Sequence, residues 1–357
     1  MLGISIYLSS QTMKKNEVWI HKAKTFGFRE IFTSLHIPED DPGVYKDLLR
    51  TIGNEAKRHG MELIADVSPK SFQYVGIRPC DLSILVDWGV SGLRLDDGFS
   101  AEEVAQFSQI IKVALNASTI SEEELQLLKS HRLHWDNVEA WHNFYPRPET
   151  GLSKDYMIRK NERLRQFGIG TIAAFIPGNK EKRGPLYKGL PTLEKHRNIE
   201  PVYAYLELVR DCDIDKVLIG DISMTDETLR RMSEVHKGII PLRYKPIVVQ
   251  EDMLSMIETV HTNRLDPARD VIRSIESRSS ILWTDDLLAP SNTVRRRKGS
   301  VTIDNTLYGR YAGELQITLA DLPQDEKVNV VGCIIEEDLP LLSYVKEGQA
   351  FRLVRVE

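Results

Sequence analysis

The chain has 357 residues, of which 41% are hydrophobic and 28% are charged, and 47 Lys and Arg against 52 Asp and Glu give a formal net charge of −5. This composition excludes an intrinsically disordered chain, and it disfavours a nucleic-acid binder, which usually concentrates a basic excess on one face. A (β/α)8 barrel takes about 250 residues, so the length leaves room for a second, smaller domain.

Eight short apolar runs alternate with longer amphipathic stretches, which is typical of parallel strands connected by helices. The runs are GISIYL from Gly3, REIFTSL from Arg29, MELIADV from Met61, VSGLRLD from Val90, KVALNAS from Lys112, VEAWHNF from Val138, TIAAFIP from Thr171 and KVLIGDI from Lys216. Helices are predicted at residues 16–26, 44–59, 101–110, 122–130, 154–167, 202–212 and 226–235. An eighth strand closes a barrel, so we predict a (β/α)8 TIM barrel over residues 1–237.

The connection after the sixth strand differs from the others. It is an aromatic, proline-rich loop, WHNFYPRPETGLS, that ends at Ser153. Long ordered loops of this kind usually carry function.

From residue 238 the pattern changes to shorter β-like segments separated by turn residues. They are IIPLRYKPIVV, SSILWTDDL, GSVTIDN, YGRYAGELQIT, VNVVGCII and FRLVRVE. We predict a β-rich domain over residues 238–357, with at least one helix at residues 267–275.

Cys80, Cys212 and Cys333 lie far apart, so the sequence supports neither a disulfide framework nor a zinc site, and we expect three buried thiols. No signal peptide opens the chain, and no apolar stretch approaches the ~20 residues that cross a membrane. We therefore expect a cytoplasmic protein without membrane contact.

Dinucleotide and P-loop sites are disfavoured because no GxGxxG follows a strand and no GxxxxGK[ST] occurs. No HExxH occurs either, and the nine histidines form no evident ligand cluster with carboxylates. We predict that the protein uses neither a metal ion nor a cofactor.

In a (β/α)8 barrel, catalytic residues lie at the C-terminal ends of the strands and in the loops that follow. Carboxylates at several of these ends would supply the acid and base that glycoside or phosphosugar chemistry needs. In chain order the candidates are Tyr7, Ser9, Ser34, His36, Asp66, Ser68, Arg94, Asp96, Asp97, Asn116, Ser118, His142, Asn143, Tyr145, Arg147, Glu149, Lys180, Lys182, Arg183 and Asp221.

Several of these residues also fit a purely structural role. Asp96 and Asp97 precede Gly98 in a common turn signal, and Asp66 fits a helix cap or a polar layer of the barrel. The basic run from Lys180 to Arg183 fits a solvated surface. The long loop is more specific, because aromatic rings stack on sugars, an arginine binds phosphate or carboxylate, and a glutamate is an acid. It indicates an anionic, polyhydroxylated ligand.

The opening GISIYLS, the strand end LRLDDGFS, the loop WHNFYPRPETGLS with a later FIPG, and GSVTIDNTLYGRYAGELQI resemble the bacterial 6-phospho-N-acetylmuramidase family over nearly the whole chain. The resemblance implies a TIM-barrel glycosidase domain followed by a cyclophilin-like β-barrel domain. It also implies hydrolysis of the β-1,4 bond between N-acetylmuramic acid 6-phosphate and N-acetylglucosamine during cell-wall recycling. The expected partner is therefore a phosphorylated amino-sugar disaccharide, and the oligomeric state stays open.

Our role assignments take Asp97 and Glu149 as the acid and its partner, with Asp66 as the third candidate. The phosphate and lactyl carboxylate of the implied substrate accord with basic residues around it. We predict substrate-binding roles for Tyr7, Arg94, Asp96, Asn116, His142, Asn143, Tyr145, Arg147, Lys182, Arg183 and Arg310. Arg310 belongs to the second domain, in a polar segment that also contains Asp304, Asn305 and Tyr308. The alternatives are a phosphosugar isomerase, epimerase or aldolase on the same barrel and a non-catalytic muropeptide-binding protein.

Overall fold

The computed structural model describes residues 1–9, 12–35, 42–247, 250–279 and 283–356. It divides into two compact units, Met1–Ser233 and Glu234–Glu357. The domain boundary after residue 237 stays a prediction, because helix α9 (Asp226–His236) continues across the division between the units.

The first unit is a closed barrel of eight parallel strands, each paired with the next along the chain and the last paired with the first. The predicted (β/α)8 barrel is therefore confirmed. Its strands are β1 (Leu2–Ser5), β2 (Glu30–Ser34), β3 (Glu62–Val67), β4 (Gly92–Leu95), β5 (Lys112–Asn116), β6 (Val138–Trp141), β7 (Ile172–Ile176) and β8 (Lys216–Ile219).

The connecting helices are α1 (Met13–Thr25), α2 (Tyr45–His59), α3 (Pro69–Val75), α4 (Ser83–Trp88), α5 (Ala101–Ser108), α6 (Glu122–Ser130), α7 (Lys154–Gln166), α8 (Pro201–Asp211) and α9. The sequence analysis missed α3 and α4, which are too short to show a helical repeat. The predicted start of α6 is confirmed, because Ser121 Oγ accepts a bond from the Glu124 N–H at 3.1 Å.

The N-terminal end of the barrel contains a layer of ionic side chains, buried at Glu30, Glu139 and Lys216 and partly exposed at Glu62 and Lys112. Lys216 Nζ lies 2.7 Å from Glu30 Oε1 and 2.9 Å from Glu139 Oε1. Lys112 Nζ lies 2.5 Å from Glu62 Oε2 and 3.2 Å from Glu139 Oε1. Burial raises the pKa of Glu30 to about 7, since Lys216 offsets only part of the desolvation.

The second unit is a seven-stranded sheet in the order β10-β15-β9-β14-β12-β13-β11. Among its described residues, α10 (Glu251–Ile257) is a further α-helix. Its strands are β9 (Ile239–Pro246), β10 (Val260–Thr262), β11 (Val271–Arg273), β12 (Ser300–Asp304), β13 (Leu315–Thr318), β14 (Val328–Ile334) and β15 (Ala350–Arg355). The two edge strands meet at a bridge between Asn263 and Ser274, which nearly closes the sheet into a barrel. The predicted β-rich second domain is confirmed.

Two expectations for local structure are wrong. The helix predicted at residues 267–275 is instead strand β11, where Val271 and Ile272 pair with Thr318 and Ile317 of β13. The cysteines are not all buried, because Cys80 is exposed and Cys333 is half-buried, whereas Cys212 is buried. Part of the segment SSILWTDDL, residues 280–282, lies outside the described residues.

Candidate active site

A buried ion pair lies at the C-terminal ends of β3 and β4. Arg94 Nη1 donates to Asp66 Oδ1 at 2.7 Å, and Ser34 Oγ at the end of β2 donates to Asp66 Oδ2 at 3.1 Å. Asp66 is 6% exposed and Arg94 is 4% exposed. Because a guanidinium in this position fixes both the charge and the direction of its donors, the pair is a preorganised polar centre at the barrel mouth.

Arg94 also connects this centre to the long loop. Its Nη2 donates to Asn143 Oδ1, and its buried Nε–H has no acceptor among the described residues. A buried donor without a partner is rare in folded proteins. Arg94 therefore keeps one donor that no described residue satisfies.

His142 belongs to a chain of hydrogen bonds that holds Asn143. The Asn143 N–H donates to Ser118 Oγ at 2.9 Å, and Ser118 Oγ lies 3.1 Å from His142 Nδ1. His142 Nε2 lies 2.8 Å from Asn161 Oδ1, while Asn161 Nδ2 donates to the Cys212 carbonyl. These partners assign the ring proton to Nε2, and burial lowers the pKa of His142 to about 4.

The substrate-binding role predicted for His142 stays a prediction, but the structure places the residue in the protein interior. The side chain is fully buried, and both ring nitrogens are bonded within the protein. Its contacts hold Ser118 and, through it, the backbone of Asn143.

Aromatic rings form the floor beneath these polar groups. Phe144 packs edge-on against Phe32 and Phe175, with ring centroids 6.0 Å and 5.2 Å apart. The Trp141 ring, fully buried, completes the cluster. Phe144 is only partly buried, so its ring offers an apolar surface at the mouth of the barrel.

Asp97 and Asp96 line a cavity of about 490 Å³ between the loops after β4 and β5. Asn116 lies on the same cavity, and its Oδ1 accepts a bond from the Ser118 N–H at 3.2 Å. Asp97 is exposed and Asp96 is half-buried. The structure thus brings together three predicted residues, beside the centre formed by Asp66 and Arg94.

Glu149 lies on the long loop in a left-handed backbone conformation, with φ of 72°. Its backbone N–H donates to Glu194 Oε1 at 2.8 Å, and the Gly151 N–H donates to Glu194 Oε2 at 2.8 Å. The side chains of Arg147 and Glu149 are exposed and form no hydrogen bond or ion pair with the described residues. Both therefore remain free to meet a ligand.

A second side chain fastens the same loop. Arg197 Nη2 donates to the carbonyls of Tyr145 and Arg147 at 3.0 Å and 3.2 Å, and it pairs with Glu194 Oε2 at 2.7 Å. The Arg197 guanidinium holds the pKa of Glu194 at about 2. We call Glu194 and Arg197 the loop clamp. Neither residue follows a strand directly, so strand position did not predict either of them.

Tyr7, Arg183 and Asp221 form a third group, at the ends of β1, β7 and β8. Tyr7 Oη donates to the Gly220 carbonyl at 2.6 Å, and the Arg183 guanidinium lies 4.2 Å from the centre of the Tyr7 ring. The Asp221 carboxylate accepts bonds from the backbone N–H groups of Gly178 and Arg183, both at 2.9 Å. Asp221 thus shapes the loop after β7.

The remaining predicted residues are dispersed. Tyr145 is half-buried on the long loop, and Lys182 lies in the loop after β7, within electrostatic range of Asp221. Arg310 is exposed in the second unit, where its Nη2 donates to Tyr311 Oη at 2.7 Å. His36 lies outside the described residues. The predicted roles of Tyr145, Lys182 and Arg310 stay predictions.

In the described ranges, no group of three or more His, Cys, Asp or Glu side chains is arranged to hold a metal ion. Nor does any helix described here combine the length and the apolar character that a membrane span requires.

Comparison with known proteins identifies the family. Residues 2–234 match the N-terminal model of the 6-phospho-N-acetylmuramidase family, and residues 241–354 match its C-terminal model. The chain belongs to this family. The family name indicates a glycosidase that acts on a phosphorylated amino sugar.

Two solved structures are similar to the chain over nearly its full length. A conserved Enterococcus faecalis protein of unknown function is 41% identical, with 99% of this chain and 96% of that chain covered and a TM-score of 0.86. An uncharacterized Bacillus cereus protein is 33% identical, with 99% of both chains covered and a TM-score of 0.79. A search of curated proteins gives no match.

Proposed function

We propose that the protein hydrolyses the β-1,4 bond between N-acetylmuramic acid 6-phosphate and N-acetylglucosamine in the cytoplasm, during cell-wall recycling. The observation that carries this proposal is the match of both parts of the chain to one phospho-muramidase family. The polar centre at the barrel mouth supports it, because active sites of (β/α)8 enzymes lie at this end of the barrel.

The reaction needs one proton delivered to the leaving oxygen and one negative group that faces the developing oxocarbenium ion. Asp97 and Glu149 are our candidates for these roles, because both are exposed on loops that follow barrel strands. Asp66 is the third candidate. Its carboxylate already faces Arg94, which suits a charge-stabilising role better than proton donation.

The apolar surface of Phe144 and the unpaired Nε–H of Arg94 match the apolar face and the polar substituents of an amino sugar. An aromatic ring packs against the C–H face of a pyranose, and a buried guanidinium donor pairs with a hydroxyl, carbonyl or carboxylate oxygen. Both groups lie beside Asn143, whose backbone is held by the hydrogen bonds that run from His142 through Ser118.

The aldolase alternative has little support, since that chemistry needs a Schiff-base lysine at a strand end. On the barrel strands that the structure describes, the lysines are Lys112 and Lys216. Both begin their strands, at the opposite end of the barrel, and both are engaged in the ionic layer.

The deciding experiment incubates the purified protein with the 6-phosphorylated disaccharide and with its unphosphorylated form and identifies the products by mass spectrometry. We expect N-acetylmuramic acid 6-phosphate and N-acetylglucosamine from the first compound and little turnover of the second. Charge-assisted bonds to a phosphate account for differences of about 10-fold to 100-fold. Intact phosphorylated disaccharide after prolonged incubation would refute the proposed function, and equal turnover of both compounds would refute phosphate recognition.

A further inference from the structure

A cavity of about 400 Å³ opens between the N-terminal half of α1 and the loops after β7 and β8. Four lysines line it, against one carboxylate, Glu181. Its other walls are largely apolar, from Trp19, Ile222 and Met224. We call it the lysine cavity, lined by Tyr7, Thr12, Lys14, Lys15, Asn16, Val18, Trp19, Lys22, Lys180, Glu181, Ile222, Ser223 and Met224.

The positive charge in this cavity is only partly neutralised. Lys15 Nζ lies 3.4 Å from Glu181 Oε2, and Lys22 pairs with Asp226, which is exposed. Lys14 and Lys180 form no hydrogen bond or ion pair with any residue that the structure describes, and Asp226 lies within electrostatic range of Lys180. Two ammonium groups therefore remain to meet an anion.

A buried donor points to a missing partner. Trp19 is 6% exposed, and its Nε1–H has no acceptor among the described residues. An indole N–H usually finds an acceptor when it is buried. The Trp19 ring lines the lysine cavity.

The first turn of α1 adds further donors. Thr12, at the N-cap, makes no side-chain cap bond, and no acidic residue occupies the first turn. The Thr12 hydroxyl is turned away and donates to the Tyr7 carbonyl at 2.9 Å. The first N–H groups of a helix have no partner within the helix, and together with the helix dipole they favour an anion.

The cavity adjoins the barrel mouth. Tyr7 lines the cavity and packs with Leu190, while Phe144 and Ile222 pack against both. Phe144 is also the partly buried ring of the aromatic floor. A ligand that lies over Phe144 therefore reaches the lysine cavity by passing Tyr7 and Ile222.

We propose that the lysine cavity binds the phosphate ester of a phosphorylated sugar whose ring lies over the barrel mouth. This inference rests on the proposed function for the identity of the sugar, but not for the presence of the anion site. It assigns phosphate recognition to Lys14, Lys180, Trp19 and the first turn of α1, whereas the sequence predicted substrate-binding roles for Arg147, Lys182 and Arg183.

The test measures binding directly, by calorimetry on the full-length protein with glucose 6-phosphate, glucose and inorganic phosphate. We expect both phosphates to bind and glucose to bind far more weakly. The double variant Lys14→Gln/Lys180→Gln should weaken binding of both phosphates about 10-fold to 100-fold, the range for lost charge-assisted bonds. Trp19→Phe removes one donor and should weaken binding several-fold.

Lys24→Gln is the matched control, because it removes the same charge from the same helix outside the lysine cavity. Unchanged phosphate binding in the double variant, or an equal loss in Lys24→Gln, would overturn the proposal.

Hydrolysis of the disaccharide distinguishes the anion-site proposal from the proposed function. Phosphate binding that depends on Lys14 and Lys180, without cleavage of the disaccharide, would keep the anion site and refute the proposed function. Cleavage of the disaccharide with a KM that is unchanged in the double variant would support the proposed function and refute the anion site.

Discussion

The three candidate carboxylates lie in three different environments, and this difference makes their roles separable. Asp66 is buried against Arg94, Asp97 is exposed on the cavity after β4, and the exposed Glu149 depends on the loop clamp for its position. An amide substitution keeps the shape of each side chain and removes its charge.

We expect Asp97→Asn and Glu149→Gln to lower kcat by about 10²-fold to 10⁴-fold, the size credited to a positioned acid or base. Steady-state kinetics with the phosphorylated disaccharide measures this loss, and Glu123→Gln, an exposed change on α6, is the control. Asp66→Asn gives the internal comparison. A larger loss of kcat in Asp66→Asn, with Glu149→Gln close to wild type, would reassign the two catalytic roles to Asp66 and Asp97.

At this scale the sequence predicted which side chains lie at the barrel mouth better than it predicted what they contact. Asp66, Arg94 and Asn143 are predicted residues that meet in the structure. His142 was expected to bind substrate, but Ser118 and Asn161, both far from it along the chain, bond its two ring nitrogens inside the protein. Strand position indicates the end of the barrel, whereas the direction of a ring depends on contacts that sequence spacing does not encode.

The long loop after β6 is the element whose shape depends most on residues outside it. Glu194→Gln replaces one acceptor oxygen with an NH₂ group, so it weakens both the bonds from the loop N–H groups and the pair with Arg197. We expect faster hydrogen exchange at the amides of Glu149 and Gly151 and a KM increase of about 10-fold, because hydrogen bonds to charged groups contribute about 1.5–3 kcal/mol.

Glu122→Gln is the matched control for the loop clamp. It removes an exposed partner of Arg163, and surface ion pairs of this kind contribute little to stability. Arg197→Lys should reproduce the effect of Glu194→Gln, since a lysine lacks the fork that reaches the carbonyls of Tyr145 and Arg147. Unchanged exchange at both loop amides in Glu194→Gln would contradict a positioning role.

Periodicity predicted the elements that bury a long regular face and missed those that do not. The eight barrel strands are continuous apolar runs, so they stand out from the amphipathic helices between them. Helices α3 and α4 span only seven and six residues, too few for a repeat to show. Strand β11 is three residues long, and its pairing with β13 outweighs the local pattern that suggested a helix.

At the scale of the whole molecule, the ionic layer makes stability depend on pH. The pKa of Glu30 is raised to about 7 by burial, against an ordinary value of 4.5. A carboxyl with a raised folded-state pKa contributes stability that is fully present below its unfolded pKa and is lost as pH rises through the folded pKa. The free energy of unfolding should therefore fall between about pH 5 and pH 8.

Glu30→Gln should flatten this dependence. A shift from 4.5 to about 7 corresponds to roughly 3 kcal/mol at 1.36 kcal/mol per pKa unit. Because the loss begins near the ordinary pKa of 4.5, we expect the wild type to lose about 2.5 kcal/mol more than the variant between pH 5 and pH 8. Urea unfolding at the two pH values gives the four free energies needed. Parallel pH profiles for the two proteins would show that Glu30 does not titrate in this window.

The near-closure of the second sheet has a consequence for behaviour at high protein concentration. An open sheet presents unpaired N–H and C=O groups at its edges, and such edges template pairing between chains. Here the edge strands β10 and β11 satisfy each other next to the Asn263 bridge, where the Ile275 N–H donates to the Thr262 carbonyl at 3.0 Å and the Arg264 N–H donates to the Arg273 carbonyl at 3.1 Å. Over these residues the backbone groups of the two edges are already paired, so edge-to-edge aggregation is disfavoured without charged side chains at the edge.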